Sequence, residues 1–171
     1  MEQQPYQNSA TGTCSIDKKC CPKKFLLVAI ATFALTMLFD WLVHGILLMD
    51  TYNATASLWR PQAEMEAMMP YCLLMHGTQA LVFSALFLGW KKYQTFGPIG
   101  KCGCPGRKGF RFGALVGLLI GLHAAGAYIW QPIPENLALA WLAAETLKWA
   151  LTAGILALMC ASCATRNQPK V

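Results

Sequence analysis

Four long runs of apolar residues, at positions 25–49, 71–90, 112–130 and 137–159, divide the chain, and short polar segments separate them. Each run reaches or approaches the ~20 residues that an α-helix needs to cross a bilayer. Lipid offers no partner for backbone N–H and C=O groups, so a helix is the expected form of each. Four such runs in one short chain argue against buried helices of a soluble protein. The pattern predicts an all-α fold, an integral membrane bundle of four transmembrane helices at about 25–49, 71–92, 110–130 and 137–161. The expected organisation is a polar N-terminal tail (1–24), a four-helix domain (25–163) and a short C-terminal tail (164–171).

The polar residues between the runs set an orientation. Lys18, Lys19, Lys23 and Lys24 precede the first run; Lys91, Lys92, Lys101, Arg107, Lys108 and Arg111 lie between the second and third; Arg166 and Lys170 follow the fourth. Twelve of the fourteen basic residues therefore fall on one side, against Arg60 with Asp50, Glu64, Glu66 and Glu135 on the other. By the positive-inside rule both termini are expected in the cytoplasm, and helix 1 is expected to act as its own insertion signal. Trp59, Tyr128 and Trp130 suit the outer interface, Trp90 and Tyr93 the inner one. In the outer loop, "RPQAEMEAMMP" reads as a short helix with Pro61 at its first position and Pro70 as its stop. Its methionines would lie against the membrane surface.

Composition agrees with the pattern: 56% of residues are hydrophobic and 13% charged, against about 25% charged in ordinary globular chains. The formal charge of +6 could point to nucleic acid. Its position beside apolar segments, without interleaved stacking aromatics, argues against that partner and for anionic lipid headgroups.

Against this apolar background, "FDWLVHGILL" stands out. Asp40 and His44 are four apart, so they share a helix face. His76 lies near the outer end of the second run, His123 near the outer end of the third, and Glu145 and Lys148 in the fourth. At a rise of about 1.5 Å per residue, His44 and His76 sit roughly 6–8 Å deep, and Asp40, His123 and Glu145 roughly 10–12 Å deep. Each helix thus offers a polar group to one layer in the outer half. An Asp or Lys at a helix centre costs about 2.5–3.5 kcal/mol against lipid, so these groups are expected to face one another. One reading is a structural hydrogen-bond network. A second is a metal site with Asp40, His44, His76, His123 and Glu145 as ligands. A third is a proton relay, a quinone pocket or a haem site.

Cysteine and methionine add a second candidate. Of eight cysteines, only Cys72 falls on the outer side. On the inner side Cys20 and Cys21, Cys102 and Cys104, and Cys160 and Cys163 form close pairs beside the membrane. That compartment is normally reducing, so thiols are expected there in place of disulfides. They could converge on a soft or borderline ion such as copper or zinc, or serve as small apolar residues at the membrane edge. Met65, Met68, Met69 and Met75 cluster at the outer end near His76.

Gly113, Gly117, Gly121 and Ala125 form a small-residue ridge on the third helix. Such ridges let helix backbones approach closely. If His123 faces the bundle interior, part of the ridge faces outward and offers a surface to a second copy or a larger membrane complex. No P-loop, dinucleotide fingerprint or nucleophile elbow is present in the sequence.

In its length, its four-span layout and the stretches "FDWLVHGILL" and "ATASLWRPQAEM", the chain resembles small bacterial inner-membrane proteins of unknown function. The resemblance covers mainly helix 1 and the first outer loop, and implies a location in the bacterial inner membrane. The expected function is that of a non-enzymatic membrane protein, an accessory or assembly partner. The alternatives are a soft-metal binder or carrier and, after it, a quinone- or haem-binding redox subunit.

Overall fold

The computed structural model describes residues 21–96 and 104–166. Cys20 and Cys102 lie outside the described residues, as do the side chains of Cys21 and Cys163. Every described element is helical. Helix α1 (Cys21–Leu42) continues through one π-helical turn (Val43–Leu47), and α2 (Met49–Ala54) follows. A 3-10 turn (Ala56–Leu58) and α3 (Gln62–Ala67) lead to α4 (Met69–Phe96). Then come α5 (Pro105–Ala125), α6 (Ala127–Trp130) and α7 (Glu135–Arg166). Four segments are long and apolar enough to cross a membrane: Lys23–Leu47, Met69–Tyr93, Pro105–Trp130 and Glu135–Ala161.

Prolines mark where the helices begin. Pro105 opens α5 in its first turn, where its missing N–H has no intrahelical acceptor to lose. Pro70 was expected to end the short outer helix; instead it lies in the first turn of α4, and α3 has already ended at Ala67. The reason is the same, since a first turn tolerates proline and an interior does not. Pro61 precedes α3 in an extended conformation, so that helix begins one residue later than its sequence suggests.

Helices α5 and α7 form the tightest seam. Gly109, Gly113, Gly117 and Gly121 are all buried, and they line up on α5 against the α7 backbone. A methyl group on Gly117 would sit 2.7 Å from the Glu145 carbonyl oxygen, and one on Gly121 2.8 Å from that of Leu142. At Gly109 and Gly113 the α7 backbone is nearer still. The ridge is therefore filled from within the chain, and the docking surface expected at Gly113, Gly117 and Gly121 is taken by α7.

The second packing unit is aromatic. Phe83 and Phe87 of α4 meet Trp149 of α7, with the Phe83 and Trp149 ring centres 4.4 Å apart. Trp90 stacks on Phe112 of α5 at 4.7 Å. Val28, Leu156, Ala157 and Cys160 complete this core toward the basic end of the bundle. Trp90 is half-buried against this core, whereas Tyr93 is exposed. Between α1 and α4 the hydroxyls of Thr32 and Ser84, both fully buried, are 3.2 Å apart. The outward faces carry exposed Leu26, Leu38, Leu74, Leu115 and Leu119, the surface that contact with a bilayer requires.

Candidate functional site

Asp40 on α1, His76 on α4, and Glu145 and Lys148 on α7 converge in the half of the bundle nearer the α2–α3 segment. Lys148 is the hub. Its ammonium donates to Asp40 Oδ1 at 2.8 Å and to Glu145 Oε1 at 2.6 Å. The free oxygen of each carboxylate is also occupied. Asp40 Oδ2 is 2.9 Å from His76 Nε2, and Glu145 Oε2 accepts the Trp149 indole N–H at 3.1 Å. The Lys148 side chain is 5% exposed, those of Asp40 and Glu145 17% and that of His76 21%. Three helices thus meet at one largely buried group of charges.

His76 is held at both edges of its ring. Nδ1 is 2.9 Å from the Cys72 carbonyl oxygen, while Nε2 faces the Asp40 carboxylate. Two carboxylates thus share the Lys148 ammonium, with the imidazole closing the α4 side, and opposite charges at hydrogen-bonding distance offset the cost of burying each of them.

Above the ion cluster lies an aromatic cap. His44 sits within the π-helical turn, whose Leu48 N–H reaches back to the Val43 carbonyl at 2.8 Å. Single turns of this kind occur often at functional sites. His44 Nδ1 is 2.6 Å from Tyr52 Oη, and the same oxygen accepts the Trp141 indole N–H at 2.8 Å. Trp59 packs edge-on to Tyr52 at 5.5 Å and donates its indole N–H to Thr55. Burial under this cap pushes the Tyr52 phenol above its ordinary pKa. The Trp141 N–H opposes the push and the Asp40 charge adds to it.

The expected layer is therefore assembled from three helices. His123 is exposed and does not join it. The cause is the α5–α7 seam: with Gly121 turned inward, a residue two positions on lies roughly 200° round the helix. Among the thiols expected to converge, Cys104 is exposed at the start of α5, whereas Cys160 is buried beside Val28 and Leu156 and packs as an apolar residue. Sequence reasoning passed over Tyr52 and Trp141, and gave Trp59 to the outer interface only. Trp141 carried a readable signal, being four residues before Glu145 on the same helix face. Tyr52 carried none, because its reach back to His44 depends on the break between the π turn and α2.

Asp40, His44 and Glu145 each offer a ligand atom, and these atoms all lie within 4.8 Å of one another. This nitrogen-and-oxygen set suits a borderline cation better than a soft one. The Lys148 ammonium, however, is already within hydrogen-bonding distance of two of the three ligand residues. Comparison with protein-family models, with curated proteins and with solved structures finds no match.

Proposed function

We propose that the chain is a non-enzymatic integral protein of the bacterial inner membrane, an accessory or assembly partner with both ends in the cytoplasm. Its buried polar layer acts as an ionic clamp that fixes α1, α4 and α7 at one relative height. The observation that supports this reading best is Lys148 Nζ, 2.8 Å from Asp40 Oδ1 and 2.6 Å from Glu145 Oε1. The ammonium stands where a cation ligated by those carboxylates would stand, so the layer carries its own counter-ion. The side excess of Lys and Arg supports the orientation.

The clamp reading is tested by metal analysis of detergent-purified protein after incubation with zinc or copper and exhaustive washing. The native chain should retain sub-stoichiometric metal. Co-purification after in-membrane crosslinking should recover a membrane partner. One equivalent of metal in the native chain, lost on Asp40→Asn or His44→Ala, would favour the second reading: a metal binder using Asp40, His44 and Glu145. The closeness of those three residues is the observation behind that alternative.

A further inference from the structure

His76 has another neighbour that the clamp does not use. Cys72 lies one turn earlier on α4 and is exposed. Its Sγ is 3.7 Å from His76 Nδ1, the nitrogen that also meets the Cys72 carbonyl. The opposite edge of the ring is held by Asp40 at 2.9 Å, and Asp40 in turn by Lys148 at 2.8 Å. Sulfur, imidazole and carboxylate stand in the order in which a base activates a nucleophile and a third group orients the base. Cys72 also lies in the first turn of the 28-residue α4, at the end of the bundle where an incoming molecule can reach its exposed side chain.

We propose that Cys72, His76 and Asp40 form a thiol–imidazole–carboxylate relay that makes Cys72 a nucleophilic site for disulfides reaching the α2–α3 end of the bundle. The proposal goes beyond the clamp, since it gives His76 a chemical task as well as a structural one. In the step, the Cys72 proton resides on His76 Nδ1 and the thiolate attacks one sulfur of the incoming disulfide. A new Sγ–S bond forms, the old S–S bond breaks, and its electron pair leaves on the departing sulfur. That sulfur takes the proton from Nδ1. The disulfide is the oxidant. Of the other cysteines with described side chains, Cys104 lies at the basic end and Cys160 in the core. The product is thus a mixed disulfide with the incoming molecule.

The test uses the full chain in detergent micelles and a neutral probe, 4,4′-dithiodipyridine, with peptide mass mapping to resolve each cysteine. Cys72 should react roughly tenfold faster in the folded protein than in the same chain unfolded in SDS and urea at the same pH. His76→Asn should bring the folded rate down toward the unfolded one. Continued protection of Cys160 shows that the variant remains folded. Should that protection be lost, the comparison of native with unfolded chain decides by itself. A native rate no higher than the unfolded rate overturns the relay. So does a folded His76→Asn variant that reacts as fast as the parent.

Discussion

Two seams hold this bundle by opposite means. Between α5 and α7 the contact is made by absent side chains: four buried glycines admit the α7 backbone, and the gain is dispersion and close packing. Between α1, α4 and α7 it is made by Asp40, His76, Glu145 and Lys148, at a distance set by side-chain length. The first seam tolerates no added atom; the second tolerates no missing charge. They are also linked, because the Gly117 position rests on the carbonyl of Glu145, the residue whose side chain enters the ion cluster on the far side of α7. The glycine ridge thus sets where α7 stands, and the cluster reads that placement.

The largest effect expected from breaking either seam is that of Gly113→Leu. The added side chain has to displace the α7 backbone near Trp149. Overpacking alone costs about 1–3 kcal/mol where side chains can give way, and here the obstacle is backbone. The variant should fail to yield monodisperse protein on size exclusion in detergent, whereas Gly77→Ala on α4, where nothing lies within 4 Å, should leave the profile unchanged.

Next comes Lys148→Met. It leaves the Asp40 and Glu145 carboxylates without the ammonium between them, and removal of one partner of a buried ion cluster costs about 3–5 kcal/mol. The midpoint of thermal unfolding in detergent should fall accordingly. The fourfold change Asp40→Leu, His76→Leu, Glu145→Leu and Lys148→Leu should recover most of that loss, because packed apolar residues can replace a complete buried cluster at little cost. A fourfold variant no more stable than Lys148→Met would show that the cluster adds more than charge cancellation.

Tyr52→Phe removes the oxygen shared by His44 and Trp141, and about 1 kcal/mol is expected for half-buried groups left without that partner. It should also alter the alkaline limb of stability. The Tyr52 pKa is raised above 10.0 in the folded chain, so the neutral phenol is the form favoured by the fold. Its stabilising contribution is complete below the unfolded value and is lost as pH rises through the folded one. Unfolding midpoints measured above pH ~10 should fall more steeply for the parent than for Tyr52→Phe. The smallest effect belongs to Thr32→Val, which deletes the interhelical hydrogen bond to Ser84. Such contacts average about 0.6 kcal/mol in membrane proteins, so the midpoint should shift only slightly.

The apolar runs alone placed the four long helices, since a backbone kept from water has few ways to satisfy its polar groups. They also placed Asp40, His44, His76, His123 and Glu145 at comparable heights, with Lys148 one turn beyond, because rise per residue converts position into depth. Which of these side chains meet was decided by rotation about each helix axis, and that was settled elsewhere. The inward turn of the glycine ridge sent His123 outward, and the π turn with the break after it brought Tyr52 over His44. A sequence of local propensities carries height along a helix but not the angle at which distant surfaces fit. For that reason the layer was legible in the residues, whereas its hub, its cap and the thiol beside His76 emerged only from the packed helices.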